Sequence, residues 1–178
     1  DSEKDIPETF STDLREPLRI MLAGSAGEGV QLAAEMFAKS AISAGLNVSK
    51  KGSYPVTVGI GFSSADVIIS PKRILYTGSP SPDYLIVTSQ DGLEHSLPTL
   101  ANMKKGVLML DESLQNPETG VTIVRHNFRN KAGVKFAALY SLMQFIRHSE
   151  AFPPEALLKV LQKSKLGEKN NFAELFGE

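Results

Sequence analysis

Residues 18–45 read LRIMLAGSAGEGVQLAAEMFAKSAISAG, and this stretch carries the fold. Leu18–Ala23 is a short apolar run that ends in glycine, the pattern of a buried strand. From Glu28 onward the apolar period changes. Val30, Ala33, Ala34, Phe37, Ala38 and Ala41 recur at helical i, i+3, i+4 spacing, and Gly45 supplies the stop. Residues 46–50 return to an extended pattern. Two strands separated by one helix length predict a βαβ unit with parallel pairing.

Outward from this unit, short β-like runs at 56–60, 65–70, 74–77 and 84–89 are punctuated by Pro71, Gly78, Pro80 and Pro82. Residues 62–77 hold two such runs separated by Ser70-Pro71-Lys72-Arg73, which predicts an antiparallel hairpin inserted in an otherwise parallel sheet. A weak helix is expected over 92–100, interrupted by Pro98, and further strands over 106–110 and 121–124. Phe136, Leu139, Leu142, Met143 and Ile146 form one helical stripe, Pro153-Pro154 opens another helix, and Phe172, Leu175 and Phe176 close the chain in a short one. The expected fold class is α/β: an open, mostly parallel Rossmann-like sheet with flanking helices, an antiparallel hairpin insertion and a C-terminal helical tail.

At 178 residues the chain has room for one compact domain and a short extension. Residues 1–17 contain six acids and two bases, a net −4, which by difference leaves +3 on the rest of a chain whose total is −1. The expected division is an acidic flexible arm or linker over 1–17 and a single domain over 18–178. The near-neutral balance argues against nucleic acid as a partner. No apolar run of about 18 residues and no secretory pattern occur, so no membrane contact and a cytoplasmic location are expected. Cysteine is absent, which excludes disulfides, thiolate-held zinc or iron–sulfur clusters and a thiol nucleophile within these residues.

The candidate site is the glycine turn. Gly24, Ser25, Ala26, Gly27, Glu28 and Gly29 fit G-x-[G/A]-x-x-G between a strand and a helix, the setting in which a turn and a helix N-terminus hold a phosphate. Ala26 adds a methyl where the backbone should be barest, and Glu28 puts a negative charge in the turn. The acid expected to hold a ribose about 20 residues on is replaced by Ser49, Lys50 and Lys51. Lys50 and Lys51 would suit a phosphorylated ribose, as in NADP or coenzyme A. Three readings stand at this point: a tight turn with close packing, a site for a phosphate-bearing ligand, and NAD(P) binding. His95, His126 and His148 lack metal-ligand spacing, Ser25 and Ser53 lack a hydrolase elbow, and Asp111-Glu112-Ser113 ends a predicted strand. No catalytic residue and no metal site are assigned.

The run RIMLAGSAGEGVQLAAEMFAKSAISAGLNV resembles the opening of the gamma subunit or domain of 2-oxoacid:acceptor oxidoreductases, whose pattern is a strand, G-x-G-G-Q-G-V, an alanine-rich helix, a glycine and a second strand. Gly24, Gly27, Gly29, Val30, Ala33 and Ala34 match; Ala26 replaces a glycine and Glu28 the glutamine. Downstream, 64–71 (SADVIISP), 82–87 (PDYLIV), 104–111 (KKGVLMLD) and Asn130 follow the family's order, so the resemblance covers roughly 18 to 176. One departure is large: where many relatives carry Y-G-P-E-M-R-G-G, residues 54–62 read YPVTVGIGF, without the acid and the arginine.

The resemblance implies a gamma component of a complex that oxidatively decarboxylates a 2-oxoacid on thiamine diphosphate with magnesium. Electrons would leave through iron–sulfur clusters to ferredoxin, and the acyl group would go to coenzyme A. The expected partners are the alpha, beta and ferredoxin-like delta subunits or domains. This chain itself would hold no cofactor firmly, and Gly24, Ser25, Ala26, Gly27, Gly29, Lys50 and Lys51 are the residues expected nearest a cofactor's phosphate. The alternatives are a free-standing NAD(P)-binding oxidoreductase and a non-enzymatic scaffold or ligand-binding domain.

Overall fold

A computed structural model describes residues 6–55, 61–75 and 81–177. The strands are β1 (Leu18–Ser25), β2 (Asn47–Ser53), β3 (Phe62–Ser70), β4 (Tyr84–Val87), β5 (Val107–Asp111) and β6 (Thr122–His126). The helices are α1 (Val30–Ser43), α2 (Gln90–Asn102), α3 (Phe128–Ala132), α4 (Ala137–Ser149), α5 (Pro154–Lys163), α6 (Lys165–Lys169) and α7 (Phe172–Leu175). Among the described residues the strands form one sheet in the order β2-β3-β1-β4-β5-β6. β1, β4, β5 and β6 pair in parallel, whereas β3 runs antiparallel to both β1 and β2. The expected α/β class, a mostly parallel sheet with an antiparallel insertion and a helical C-terminal part, is what the chain adopts.

Two expectations about strand partners are corrected. β2 points the same way as β1 but does not pair with it, because β3 lies between them. The reason is burial. β3 offers Ala65, Val67 and Ile69 to the core, whereas β2 (NVSKKGS) carries only Val48 as a half-buried apolar group and can occupy only an edge. Likewise, the antiparallel partner of β3 is not a strand at 74–77. Ile74 and Leu75 are not in a strand, and residues 76 and 77 lie outside the described residues, as does the run expected at 56–60. The weak helix expected over 92–100 is a full helix of 13 residues, α2, with Pro98 inside it. Pro98 lies on the exposed side of the helix, and Ser89 caps the helix start.

Alternation along each strand sends two sets of side chains to opposite faces. Ile20, Leu22, Val67, Ile69, Ile86 and Met109 meet α1, α4, α5 and α7 in the larger core, where the Phe37 and Phe145 rings cross at 5.7 Å. Burial of each such ring is worth about 3 kcal/mol. Met21, Ala23, Leu85, Val87, Leu108 and Leu110 meet Leu93 and Leu100 of α2 in the smaller one. Phe172 and Phe176 are fully buried and 5.2 Å apart, so the closing apolar cluster seals the larger core.

Residues 6–17 form neither helix nor strand. The Thr9 and Phe10 amides donate to Ser43 O at 2.8 and 2.9 Å, taking a carbonyl that the end of α1 leaves free. Thr12 Oγ1 donates to Ala151 O at 2.6 Å, and Phe10 and Leu14 pack against the larger core. No helix among the described residues is long and apolar enough to cross a membrane.

Candidate functional site at the strand crossover

β1 feeds α1 on one face of the sheet, and its parallel neighbour β4 feeds α2 on the other. The two chain directions part at the C-terminal ends of β1 and β4, which is where open α/β sheets form a ligand crevice. Gly24 to Gly29 lie there, together with Thr88, Ser89 and Asp91.

The turn is built around its own acid. Glu28 is fully buried. Its Oε1 accepts the Ser25 amide at 2.6 Å and the Thr88 hydroxyl at 3.1 Å, while the Glu28 amide donates back to Ser25 O at 3.1 Å. This reciprocal pair closes the turn on itself ahead of α1. Oε2 lies 3.9 Å from Arg129 Nε and has no hydrogen bond. Gly24 is required by this arrangement, since a Cβ there would stand 2.5 Å from Thr88 Oγ1 and 2.8 Å from Glu28 Oε1. Gly29 has φ +72°, and the Lys135 carbonyl lies 3.2 Å from where its Cβ would be. Ala26 donates its amide to Gly61 O at 2.8 Å. Gly27 is exposed, with open space where a side chain would be.

On the outer side, Ser25 Oγ lies 2.7 Å from Ser89 Oγ and 3.1 Å from the carboxylate of the exposed Asp91. One turn along α2, His95 stacks on Phe62 with ring centroids 3.6 Å apart, and its Nε2 lies 3.3 Å from Ser64 Oγ. Burial pushes the His95 imidazole below its ordinary range, against the pull of Asp66. Burial likewise raises the Asp66 carboxyl, opposed by Lys51 and then His95. A histidine whose folded pKa is depressed binds its proton more readily when unfolded, so stability falls as pH drops below about 6.5. His126 is shifted the same way, chiefly by burial and then by His148. Thermal unfolding between pH 7.5 and 5 should therefore show a smaller acid-side loss in His95→Gln than in the native chain, with the part due to His126 remaining; equal losses would refute the assignment.

The structure brings Gly24, Ser25, Ala26, Gly27 and Gly29 together but leaves Lys50 and Lys51 apart. Both lysines are exposed on the edge strand, paired with Val67 and Asp66, and therefore level with Ile20 and Met21 of β1. That is two strands across, about 10 Å, and three to four residues, about 10 Å or more, below Gly24. Insertion of β3 produces this separation. Asp111 is a structural anchor: its carboxylate accepts the Phe128 and Arg129 amides, each at 3.0 Å, and the Ser113 amide at 3.0 Å. Among the described residues no group of histidines and carboxylates is placed to hold a metal. Sequence reasoning missed Thr88, Ser89, Asp91 and Arg129 as neighbours of the turn; the only signal was a Thr-Ser-x-Asp helix start after the strand 84–87.

Residues 19–175 match the family described as pyruvate ferredoxin/flavodoxin oxidoreductase. No curated protein matches the chain by sequence. Among solved structures, a 2-oxoglutarate:ferredoxin oxidoreductase from Magnetococcus marinus with 2-oxoglutarate, coenzyme A and succinyl-CoA bound superposes with a TM-score of 0.80 at 19% identity. That match covers 92% of this chain but only 30% of the other. The gamma subunit of a keto/oxoacid ferredoxin oxidoreductase from Geobacter sulfurreducens gives 0.69 at 24% identity, over 89% of this chain and 91% of that one. Subunit PORC of a pyruvate oxidoreductase from Thermotoga maritima gives 0.68 at 21%, over 84% and 85%. At these identities the likeness is one of fold.

Proposed function

Because the chain belongs to the pyruvate ferredoxin/flavodoxin oxidoreductase family, we propose that it is the gamma component of a 2-oxoacid:acceptor oxidoreductase, a cleft-forming module without catalytic residues of its own. The observation that carries this reading is the match of nearly the whole folded chain both to a free-standing gamma subunit and to less than a third of a longer oxidoreductase chain. The same unit thus occurs as a separate subunit and as part of a larger chain.

The division of labour follows from the residues present. With no cysteine, these 178 residues do not fit a thiolate-held iron–sulfur cluster. In this reading thiamine diphosphate with magnesium, the clusters and most of the coenzyme A contact belong to alpha, beta and ferredoxin-like delta components in the cytoplasm. In this reading 18–178 is the domain and 1–17 its acidic arm or linker, of which Phe10 and Leu14 rest on the domain core. The rim at Ser25, Gly27 and Gly29 faces the shared cleft. A free-standing NAD(P) enzyme is disfavoured by Glu28 inside the turn and by the edge position of Lys50 and Lys51.

Co-purification with candidate alpha and beta components tests the reading. The chain should join them in a stable complex that oxidises a 2-oxoacid with an artificial electron acceptor, and should be inactive alone. Activity of the isolated chain, or failure to associate, would refute it.

A further inference from the structure

The glycine turn stands where an α/β crevice would hold a phosphate, yet its Ser25, Ala26 and Glu28 amides are already engaged. We propose that the Glu28 carboxylate is the resident anion of this turn, which is therefore closed to phosphate groups and acts as a clamp between β1, β4 and α3. This goes beyond the role in a complex and holds with or without one.

Three observations carry the inference. The Ser25 amide, the first donor a phosphate would need, is taken by Glu28 Oε1 at 2.6 Å. The space beneath Gly24, which a side chain would fill, is filled by that same oxygen and by Thr88 Oγ1. The Arg129 guanidinium faces Glu28 Oε2 at 3.9 Å, so its charge is already opposed by a buried acid. An incoming phosphate would meet a fully buried carboxylate and, at the rim, the exposed Asp91. Like charges at such range in a poorly solvated site repel strongly. The place left for a phosphate is the start of α1, which has no side-chain cap, so the test must read those amides as well.

The experiment titrates the full chain with inorganic phosphate and with pyrophosphate, following the backbone amide resonances of Ser25, Gly27, Gly29, Val30 and Gln31. The native chain should show no saturable shift at millimolar concentrations. Glu28→Ala, which vacates the place and frees Arg129, should bind at least about tenfold more tightly. Glu28→Gln, which keeps an oxygen on the Ser25 amide, should stay closed. Saturable shifts in the native chain would overturn the proposal, as would a folded Glu28→Ala that gains nothing. Binding by Glu28→Gln equal to that of Glu28→Ala would also overturn it, because an oxygen held on the Ser25 amide and in the space beneath Gly24 would then not close the turn. If Glu28→Ala does not fold, the native chain still decides: its Ser25 amide should be shifted downfield and protected from hydrogen exchange, and a freely exchanging Ser25 amide would sink the idea.

Discussion

Gly92→Ala is expected to destabilise the chain by about 3 kcal/mol, at the upper end of the usual cost of overpacking. A Cβ at this position would lie 2.3 Å from Ala23 O, 2.5 Å from Ala23 C and 2.7 Å from Gly24 N. These are backbone atoms of β1, which is hydrogen-bonded on both sides by β3 and β4 and cannot yield as a flexible side chain would. The first turn of α2 would have to lift off the sheet instead. Ser89 and Asp91 would move with it, away from Ser25. Urea unfolding should show a lower midpoint with an unchanged slope. Gly120→Ala, where a Cβ meets nothing within 4 Å, is the matched control and should change stability by less than about 0.5 kcal/mol. Equal effects of the two substitutions would mean that α2 does not dock on β1 as described.

Asp111→Ala should cost about 3 kcal/mol as well, through a different mechanism. The carboxylate is 2% exposed and joins the end of β5 to the first amides of α3. Truncation leaves the Phe128, Arg129 and Ser113 amides without their acceptor, and an unsatisfied buried donor costs roughly 1–3 kcal/mol. The Phe128 side chain is fully buried, so this end of α3 cannot turn outward to find water without giving up its packing. Asp111→Asn keeps one acceptor oxygen and should fall between native and Asp111→Ala in a denaturant midpoint measurement. A native-like Asp111→Ala would show that α3 is held by packing alone. Loosening α3 also shifts Arg129 away from Glu28, so the Ser25 amide should lose exchange protection in this variant while α2 stays protected.

Much of the architecture was legible in the chain because its periodicities are local. The helical spacing from Val30 to Ala41, the apolar runs at 84–87 and 107–110, and the stripe from Phe136 to Ile146 each announce an element regardless of its neighbours. Pairing was less legible. Nothing within residues 46–53 says that β3 will separate β2 from β1; that follows from comparing the burial two strands can offer, and only a finished sheet makes the comparison. The hairpin expected across residues 70–73 failed for the same reason, since the turn signal Ser-Pro-Lys-Arg is local and the partner of β3 is not.

The glycine turn shows the same division at the level of chemistry. Residue types and order alone determined a strand, a turn with Gly24, Gly27 and Gly29, and a helix behind it, because left-handed conformations and helix starts are set by a few adjacent residues. The absence of cysteine settled equally early that no thiolate-held cluster resides in these residues. Whether the turn is open to an anion was decided only by the tertiary structure. Thr88, Ser89, Asp91 and Arg129 reach it from 60 to 101 residues further along the chain, and Lys50 and Lys51, far closer in sequence, do not reach it at all. Electrostatic and hydrogen-bonding character depend on separation in space, and in a sheet whose strand order departs from chain order that separation is not readable from sequence spacing.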